Sequence, residues 1–280
     1  MRKLNVLSIQ SEVVRGHVGN GAARFALQRL GINVWAVPTV LLSNHPGYGK
    51  FRGEATPAAR IADLIDGLGE HGWLDACDGV ISGYLGAADQ ARVVADAVRR
   101  VKARNAKAVY LCDPVFGDDD GAYARAGVAE AIARALLPLA DIAVPNRFEL
   151  SSLTSKKIDD PAGAIAAARV LGNAEVVITS VPFPSDEVGT VVFTAGEAWA
   201  TSARRLQGAP NGSGDLLAAL YLGFRLKGER ADEALVRASS ATDAILRASV
   251  AAHSDELALV AAQEELDRPS QPLQLRRLLP

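Results

Sequence analysis

Cysteine is scarce in this chain, and its scarcity excludes several classes of protein. Among 280 residues only Cys77 and Cys112 are cysteines. They form no Cys-x-x-Cys pair and no Cys/His spacing of a zinc site, so the sequence predicts neither a disulfide framework nor a structural metal centre. Both lie in or beside apolar, strand-like runs. This predicts buried free thiols and favours a reducing, cytoplasmic location.

Net charge and long apolar runs are also lacking. The formal net charge is −2 at pH 7, which gives no electrostatic reason to expect nucleic acid or an anionic membrane as a partner. No stretch approaches the roughly 18 apolar residues that a membrane-spanning helix needs. The apolar run in residues 1–10 is short and broken by Asn5 and Ser8, so we expect a first strand there and not a signal peptide.

Two nucleotide-binding signatures are missing as well. The chain has no lysine-containing Walker loop, which excludes a P-loop enzyme. No Gly-x-Gly-x-x-Gly follows the first predicted strand, which argues against a dinucleotide dehydrogenase.

What the sequence does contain is an alternation of strands and helices. This pattern predicts right-handed βαβ units, and hence an α/β fold with a mostly parallel central sheet and helices on both faces. No composition shift marks a linker, so we expect a single domain over residues 1–280, with 268–280 as a surface tail. The predicted strands are 4–9, 34–38, 79–82, 108–111, 142–144 and 175–179, followed by an antiparallel hairpin of 189–194 and 197–202. The predicted helices are 19–30, 57–67, 87–104, 127–137, 147–153, 161–171, 215–226, 231–252 and 255–266.

Polar side chains follow five of these strands directly. Ligands of open α/β sheets bind beyond the carboxyl ends of the strands, so we expect these side chains to share one edge and one site. They are Ser8 and Gln10, Ser82 to Tyr84, Asp113, Asn146 with Glu149, and Thr179 with Ser180.

The most informative motif is Gly212-Ser213-Gly214-Asp215, which leads into an apolar run with helical spacing. Glycines at a helix N-terminus let free N–H groups approach an anion closely. Asp215 could then be a base that takes a hydroxyl proton while the loop holds a phosphoryl group. Aspartate is equally a good residue near any helix start, and the tetrapeptide alone leaves both interpretations open.

An ordered set of motifs carries a resemblance to a known family. Together with the glycine–aspartate motif, the set resembles the pyridoxal kinases of the ribokinase superfamily, and it spans residues 8 to 215 in that family's order. The resemblance implies a three-layer ribokinase-like sandwich that phosphorylates the 5′-hydroxyl of pyridoxal, with ATP as co-substrate. The motifs are 8–11 with 16–20, 43–45 with 47–49, Ser82-Gly83-Tyr84-Leu85-Gly86, 112–115 with 117–118, 145–149 and 177–180.

The resemblance also implies roles for individual residues. Asp215 is expected to be the base, and Gly212, Ser213 and Gly214 the anion hole. Ser8, His45 and Tyr84 are expected to hold the pyridine substrate, Tyr84 by stacking. The expected ATP contacts are Asp113, Asn146, Glu149, Thr179, Ser180 and Ser213, and the expected metal ligands are Asp113, Asp118 and Glu149.

Mg²⁺ is the expected cofactor, because it prefers oxygen ligands near phosphates. The resemblance adds K⁺ as a candidate monovalent cation and a homodimer as the expected assembly. Two alternatives stay open: a hydroxymethylpyrimidine kinase of the same superfamily, and a non-catalytic relative that only binds pyridoxal phosphate or nucleotide.

Overall fold

A computed structural model describes residues 3–279, so Pro280 of the predicted tail lies outside the described residues. Twelve strands lie within this range: β1 (Asn5–Arg15), β2 (Asn33–Asn44), β3 (Gly53–Ala55), β4 (Gly79–Ser82), β5 (Val109–Cys112), β6 (Gly117–Asp118), β7 (Gly121–Ala122), β8 (Ile142–Ala143), β9 (Glu175–Phe183), β10 (Glu187–Thr194), β11 (Ala198–Arg204) and β12 (Arg276–Leu279). Eight α-helices lie within it: α1 (Asn20–Arg29), α2 (Ala58–Glu70), α3 (Gln90–Arg104), α4 (Val128–Ala135), α5 (Arg147–Thr154), α6 (Pro161–Leu171), α7 (Ser213–Leu226) and α8 (Ala231–Ala251).

Ten of the strands form one sheet in the order β12-β11-β10-β9-β8-β5-β4-β1-β2-β3. Neighbouring strands from β2 to β9 run parallel. The hairpin β10–β11, with Thr190 opposite Thr201, adds antiparallel strands at one side. This confirms the predicted α/β fold with a mostly parallel sheet and a late antiparallel hairpin.

The sheet is buried on both faces because successive strand residues point to opposite sides. In β1, Val6 packs with α1, α7 and α8, whereas Leu7 packs with α2, α3 and α4. Helix α7 is buried along Leu216–Phe224 on every side, so its N-terminus is held rigidly beneath the strand ends. None of the helices in residues 3–279 is both long and apolar enough to cross a membrane.

Strands β1 and β2 extend several residues beyond their predicted ends. Both run on in parallel register past an irregularity between Gln10 and Glu12, up to the pair Arg15 and Asn44. The polar residues that seemed to end the first strand are buried and mutually hydrogen-bonded: Gln10 donates to Ser8, and Ser8 donates to Asn20. Buried polar groups that are hydrogen-bonded to one another can continue a strand, although Oε1 of Gln10 finds no partner among residues 3–279.

One prediction for the C-terminal region was wrong. Residues 255–266 form turns and a short 3₁₀ segment, Gln263–Leu266, where a helix was expected. The hydroxyls of Ser249 and Ser254 accept the N–H groups of Ala258 and Glu256, which competes with helical bonding. The expected surface tail contains strand β12, which pairs with β11 at the edge of the sheet.

Candidate active site

A cleft of about 810 Å³ crosses the carboxyl ends of the strands from β2 to β11. It is lined by every residue that was given an individual role above except Ser8. These lining residues are His45, Tyr84, Asp113, Asp118, Asn146, Glu149, Thr179, Ser180, Gly212, Ser213, Gly214 and Asp215. Gln10, Ser82 and Gly83, which were expected at the same edge, do not line it either: Gln10 and Ser82 are fully buried.

The glycine loop opens α7, as the sequence predicts. Gly212 is the N-cap residue with φ +99°, and a Cβ there would lie 2.2 Å from the carbonyl oxygen of His17. Glycine is therefore required at this position by both conformation and space. Gly214 differs, because a Cβ built on it would meet nothing within 4 Å. Its open side is the cleft, where an anion could approach the first N–H groups of the helix.

Asp215 lies in the first turn of α7 and is partly exposed to the cleft. Burial raises its pKa from 3.8 to about 6, although a hydrogen bond from the main chain of Gly19 lowers it. A carboxylate with this pKa is largely ionised at neutral pH and is a stronger base than an exposed aspartate.

Two further carboxyl groups face the cleft next to Asp215. Asp113 follows β5 and Glu149 lies in the first turn of α5, and both are buried. Burial raises the pKa of Asp113 well above its usual value, and the charges of Glu149 and Asp215 raise it further. Burial also raises the pKa of Glu149 to about 8.

Glu149 has a structural role that the sequence left open. Its Oε2 accepts the N–H of Asn146 at 2.9 Å, and Asn146 Oδ1 accepts the N–H of Glu149 at 2.9 Å, which forms a capping box. Its Oε1 accepts the N–H of Phe116 at 3.0 Å. Glu149 thus joins α5 to the turn that follows Asp113.

The other predicted nucleotide contacts lie at the neighbouring strand ends. Asn146 and Thr179 form an isolated parallel bridge, and the amide of Asn146 donates to the carbonyl of Gly117 at 2.8 Å. Ser180 is exposed and has φ +59°, a left-handed conformation that is uncommon for serine. The Asn146 side chain is therefore already engaged, whereas the hydroxyls of Thr179 and Ser180 line the cleft.

Asp118 is exposed and belongs to the two-stranded ribbon of β6 and β7 beside the cleft. Its Oδ1 accepts the N–H of Asp120 at 2.9 Å. Within residues 3–279, no three His, Cys, Asp or Glu side chains are close enough together to hold a metal ion by themselves.

His45 and Tyr84 lie where the strand ends of β2 and β4 border the cleft. Nδ1 of His45 accepts the N–H of Gly47 at 3.1 Å and lies 3.4 Å from Nδ2 of Asn211, next to the glycine loop. Burial lowers the pKa of His45, so the ring is neutral at pH 7 and carries its proton on Nε2. Tyr84 is half-buried on the cleft wall.

Ser8 does not reach the cleft. It is fully buried, and its hydroxyl bonds to Asn20 and Gln10 at 2.7 and 2.9 Å. The structure therefore gives Ser8 a place beneath the cleft floor and not in its lining.

Sequence reasoning missed a group of hydroxyls at the β11 side of the cleft. Thr201, Ser239 and Thr242 line the cleft, and their buried hydroxyls have no hydrogen-bond partner within residues 3–279. Thr201 comes from β11, and the other two come from α8. The sequence gives no signal for them, because serine and threonine on a long helix look like ordinary polar positions.

The fold and the site can now be compared with known proteins. A family model described as phosphomethylpyrimidine kinase matches residues 73–258. Pyridoxal kinase PdxY of Rubrobacter xylanophilus is 41% identical over 98% of each chain, and PdxY of Burkholderia mallei is 42% identical over 95% of this chain and 96% of that one. The structure of pyridoxal kinase from Leishmania donovani in complex with ADP and pyridoxamine superposes with a TM-score of 0.93 at 32% identity, covering 98% of this chain and 99% of that chain.

The ribokinase-like fold and the glycine–aspartate cleft define the class of protein as a small-molecule kinase. Within that class, the relatives that match nearly the whole chain are pyridoxal kinases. The chain therefore belongs to the pyridoxal kinase family.

Proposed function

We propose that this protein transfers the γ-phosphoryl group of ATP to the 5′-hydroxyl of pyridoxal, giving pyridoxal 5′-phosphate for vitamin B6 salvage. The observation that carries the proposal is the position of Asp215 beside the open face of Gly214, at the N-terminus of α7 and in one cleft with two more carboxyl groups. Membership of the pyridoxal kinase family supports the substrate.

Asp215 takes the proton of the 5′-hydroxyl as that oxygen attacks the γ-phosphorus of ATP. The bond between this phosphorus and the β–γ bridging oxygen breaks, and ADP leaves. The first N–H groups of α7, together with Ser213, stabilise the negative charge on the transferring phosphoryl group. This assignment is supported by the rigid burial of α7, since catalysis by dipoles requires that they be oriented before the reaction.

Asp113 and Glu149 fit a divalent cation that arrives with ATP. Burial raises the pKa of Asp113 and the neighbouring charge of Glu149 raises it further, and a cation beside the two groups would favour their ionised forms. We propose Mg²⁺, held through these carboxyl oxygens, Asp118 and the phosphates, since Mg²⁺ keeps several of its ligands as water or phosphate. Bound there, the ion would neutralise phosphate charge. K⁺ is our candidate for a monovalent cation near Thr179, Ser180 and the phosphates.

The order of the strands along the cleft supports binding of pyridoxal and ATP at opposite ends of it. His45 and Tyr84 border the β2–β4 side, where the neutral ring of His45 can donate a hydrogen bond to pyridoxal. Asn146, Thr179 and Ser180 border the β8–β9 side, and the unpaired hydroxyls continue this side to β11. We therefore propose that the triphosphate passes Asp113 and that the nucleoside lies toward β11.

The deciding experiment is a substrate panel with ATP and Mg²⁺, read by product mass. We expect the mass of pyridoxal to increase by one phosphoryl group. Pyridoxine and pyridoxamine are tested in the same panel. The matching family model is described as phosphomethylpyrimidine kinase, and a hydroxymethylpyrimidine kinase is the alternative that the sequence left open, so hydroxymethylpyrimidine is the matched alternative substrate. Preference for hydroxymethylpyrimidine would overturn the proposal. Ligand binding without any turnover would also overturn it, in favour of the non-catalytic binding protein.

We propose a homodimer of single-domain chains in a reducing cytoplasm. Exposed apolar side chains near the β3 edge of the sheet, Val14, Leu41 and Phe51, support an interface between copies. The unbroken sheet from β3 to β12 supports one domain. The free, buried thiols of Cys77 and Cys112 support the reducing compartment.

A further inference from the structure

The segment that follows α8 lies beside the glycine loop, and the proposed mechanism does not use it. Cδ1 of the buried Leu257 in this segment lies 3.2 Å from the Cβ position of Gly212. Ser254 fixes the path of the segment: the hydroxyl of Ser254 donates to the carbonyl of Glu256 and accepts the N–H of the same residue. The Glu256 side chain is only 16% exposed, and a carboxylate held this firmly between loops that border the cleft needs an explanation.

Glu256 binds the loop between β1 and α1. Its Oε2 accepts the N–H of His17 at 3.0 Å. Gly16 has φ +123°, and a Cβ there would lie 2.7 Å from Oε1 of Glu256. The loop is therefore shaped to admit this carboxylate, because only glycine combines that conformation with that approach.

Glu256 also binds the loop that carries His45. The hydroxyl of Tyr48 lies 2.6 Å from Oε1 of Glu256 and 2.9 Å from the carbonyl oxygen of Asp255, so the carboxylate is the nearer of its two acceptors. The Arg15 guanidinium lies 5.4 Å from the centre of the Tyr48 ring and 3.5 Å from Oε1 of Glu256. One carboxylate thus fastens two loops that come from different strand ends, β1 and β2.

Both loops, 16–19 and 45–49, contact the glycine loop or Asp215. The carbonyl of His17 touches Gly212 of the anion hole, and Cδ1 of Leu257 lies 3.2 Å from the Cβ position of the same glycine. Two residues after His17, the main chain of Gly19 bonds to Asp215. The Tyr48 loop includes His45, which contacts Asn211 at the start of the glycine loop.

We propose that Glu256 is a positioning residue that fixes the alignment of the pyridoxal-side loops with the phosphoryl-transfer loop. This inference rests on the proposed function for its kinetic consequence. The competing explanation is an anchor that only stabilises the C-terminal segment. The two differ in what they predict for kcat and for the KM of pyridoxal.

The experiment compares four variants with the wild type. Glu256→Ala removes both acceptors, Glu256→Gln keeps an oxygen for His17 and a polar group for Tyr48, and Tyr48→Phe releases one loop alone. Glu264→Gln is the matched control, because the Glu264 side chain pairs with Arg29 of α1 at 2.6 Å, in the same C-terminal region, and not with the loops at 16–19 and 45–49. Steady-state kinetics for pyridoxal are measured together with ATP binding in the absence of pyridoxal.

We expect Glu256→Ala to lower kcat by about tenfold to a hundredfold, as small misplacements of reacting groups do. The KM of pyridoxal should rise, whereas the ATP dissociation constant should stay near the wild-type value. Glu256→Gln should recover most of kcat, Tyr48→Phe should raise mainly the KM of pyridoxal, and Glu264→Gln should behave as wild type. Wild-type kinetics in Glu256→Ala, with only a lower melting temperature, would overturn the proposal.

Two further measurements keep the test decisive. If Glu256→Ala does not fold, Tyr48→Phe decides, and an unchanged KM for pyridoxal overturns the alignment role. If the wild-type protein does not phosphorylate pyridoxal, the proposed function fails, and Glu256 is then judged by amide hydrogen exchange. Faster exchange in both 16–19 and 45–49 in Glu256→Ala, but not in Glu264→Gln, would support the coupling; unchanged exchange in either loop would contradict it.

Discussion

At the centre of the cleft, Asp113, Glu149 and Asp215 bring three carboxyl groups together, whereas the β11 side presents the unpaired hydroxyls of Thr201 and Thr242. β11 is three strands away from β8 in the sheet, which is roughly 14 Å at the usual strand spacing of about 4.8 Å. The two regions differ in kind. In the proposed mechanism the central carboxyl groups take a proton or hold a cation during phosphoryl transfer, whereas the neutral hydroxyls can offer a ligand only hydrogen bonds. Changes at the centre should therefore alter the rate, and changes near β11 should alter nucleotide affinity.

The largest effect is expected from Asp215→Asn. The exchange is nearly isosteric and keeps a residue suited to a helix start, so the fold should persist. Loss of a positioned base should lower kcat on the order of 10²-fold or more. ATP binding, measured by titration, should change little. Turnover within a few-fold of wild type would rule out Asp215 as the base.

The next effect is expected from Gly214→Val, because its Cβ would project into open cleft space. The variant should fold, and kcat should fall by about 10² as the phosphoryl group is kept away from the helix N-terminus. Gly212→Ala is the contrasting variant: its φ of +99° and its contact with His17 predict a loss of folding stability. Thermal unfolding and kcat are measured for both variants: Gly214→Val should lose mainly kcat, and Gly212→Ala should lose thermal stability. A normal kcat in Gly214→Val would show that the loop does not face the reacting group.

A smaller effect comes from pH. The base must be ionised, and burial raises the pKa of Asp215 to about 6, so kcat/KM should fall as the pH drops below about 6. The decline should approach tenfold per pH unit, since the ionised fraction falls by that factor below the pKa. The measurement is a kcat/KM profile from pH 5 to 8, with unfolding monitored separately. A flat acid limb in the stable protein would contradict this role for Asp215.

The smallest effect is expected near β11, from Thr242→Val. Removal of one hydrogen bond to the nucleotide should raise the KM of ATP by a few-fold, within the ~0.5–1.5 kcal/mol typical of such bonds. The KM of pyridoxal should not change. The ligand-free protein should become more stable, because an unpaired buried hydroxyl is costly.

Ser249→Ala on the same helix is the control for that prediction. The Ser249 hydroxyl is buried but fully paired, with Ile245 and Ala258. This variant should lose stability and keep its KM for ATP. If Thr242→Val instead behaves like Ser249→Ala, the hydroxyls near β11 do not contact the nucleotide.

The sequence predicted the parallel sheet because its buried strands are short apolar runs between helices with clear periodicity. β4 and α6 match their predicted bounds residue for residue. The extension of β1 could not be predicted, because Gln10 and Glu12 look like the end of a strand until their partners are known. The turns at 255–257 were missed for a related reason, since Glu256 takes its place from contacts with Gly16 and Tyr48, far away in the chain.

The place of a candidate site residue was predictable where a polar residue follows a predicted strand, as at Asp113, or where glycines precede a helical apolar run, as at Asp215. It was not predictable where packing decides. Ser8 has the right position in the sequence, but its hydroxyl bonds to Asn20 away from the cleft lining. Thr201 and Ser239 line the same cleft because β11 packs against α8, and no local pattern records that packing.

Glu149 holds N–H groups of two segments that meet at the cleft, those of Asn146 and Phe116. Its carboxylate is therefore immobilised when α5 forms, before any nucleotide arrives. The conformational entropy of ordering this group is lost during folding and is not subtracted from the free energy of nucleotide binding. The turn after Asp113 is fixed by the same bonds, so calorimetry of nucleotide binding should record little ordering of this part of the chain.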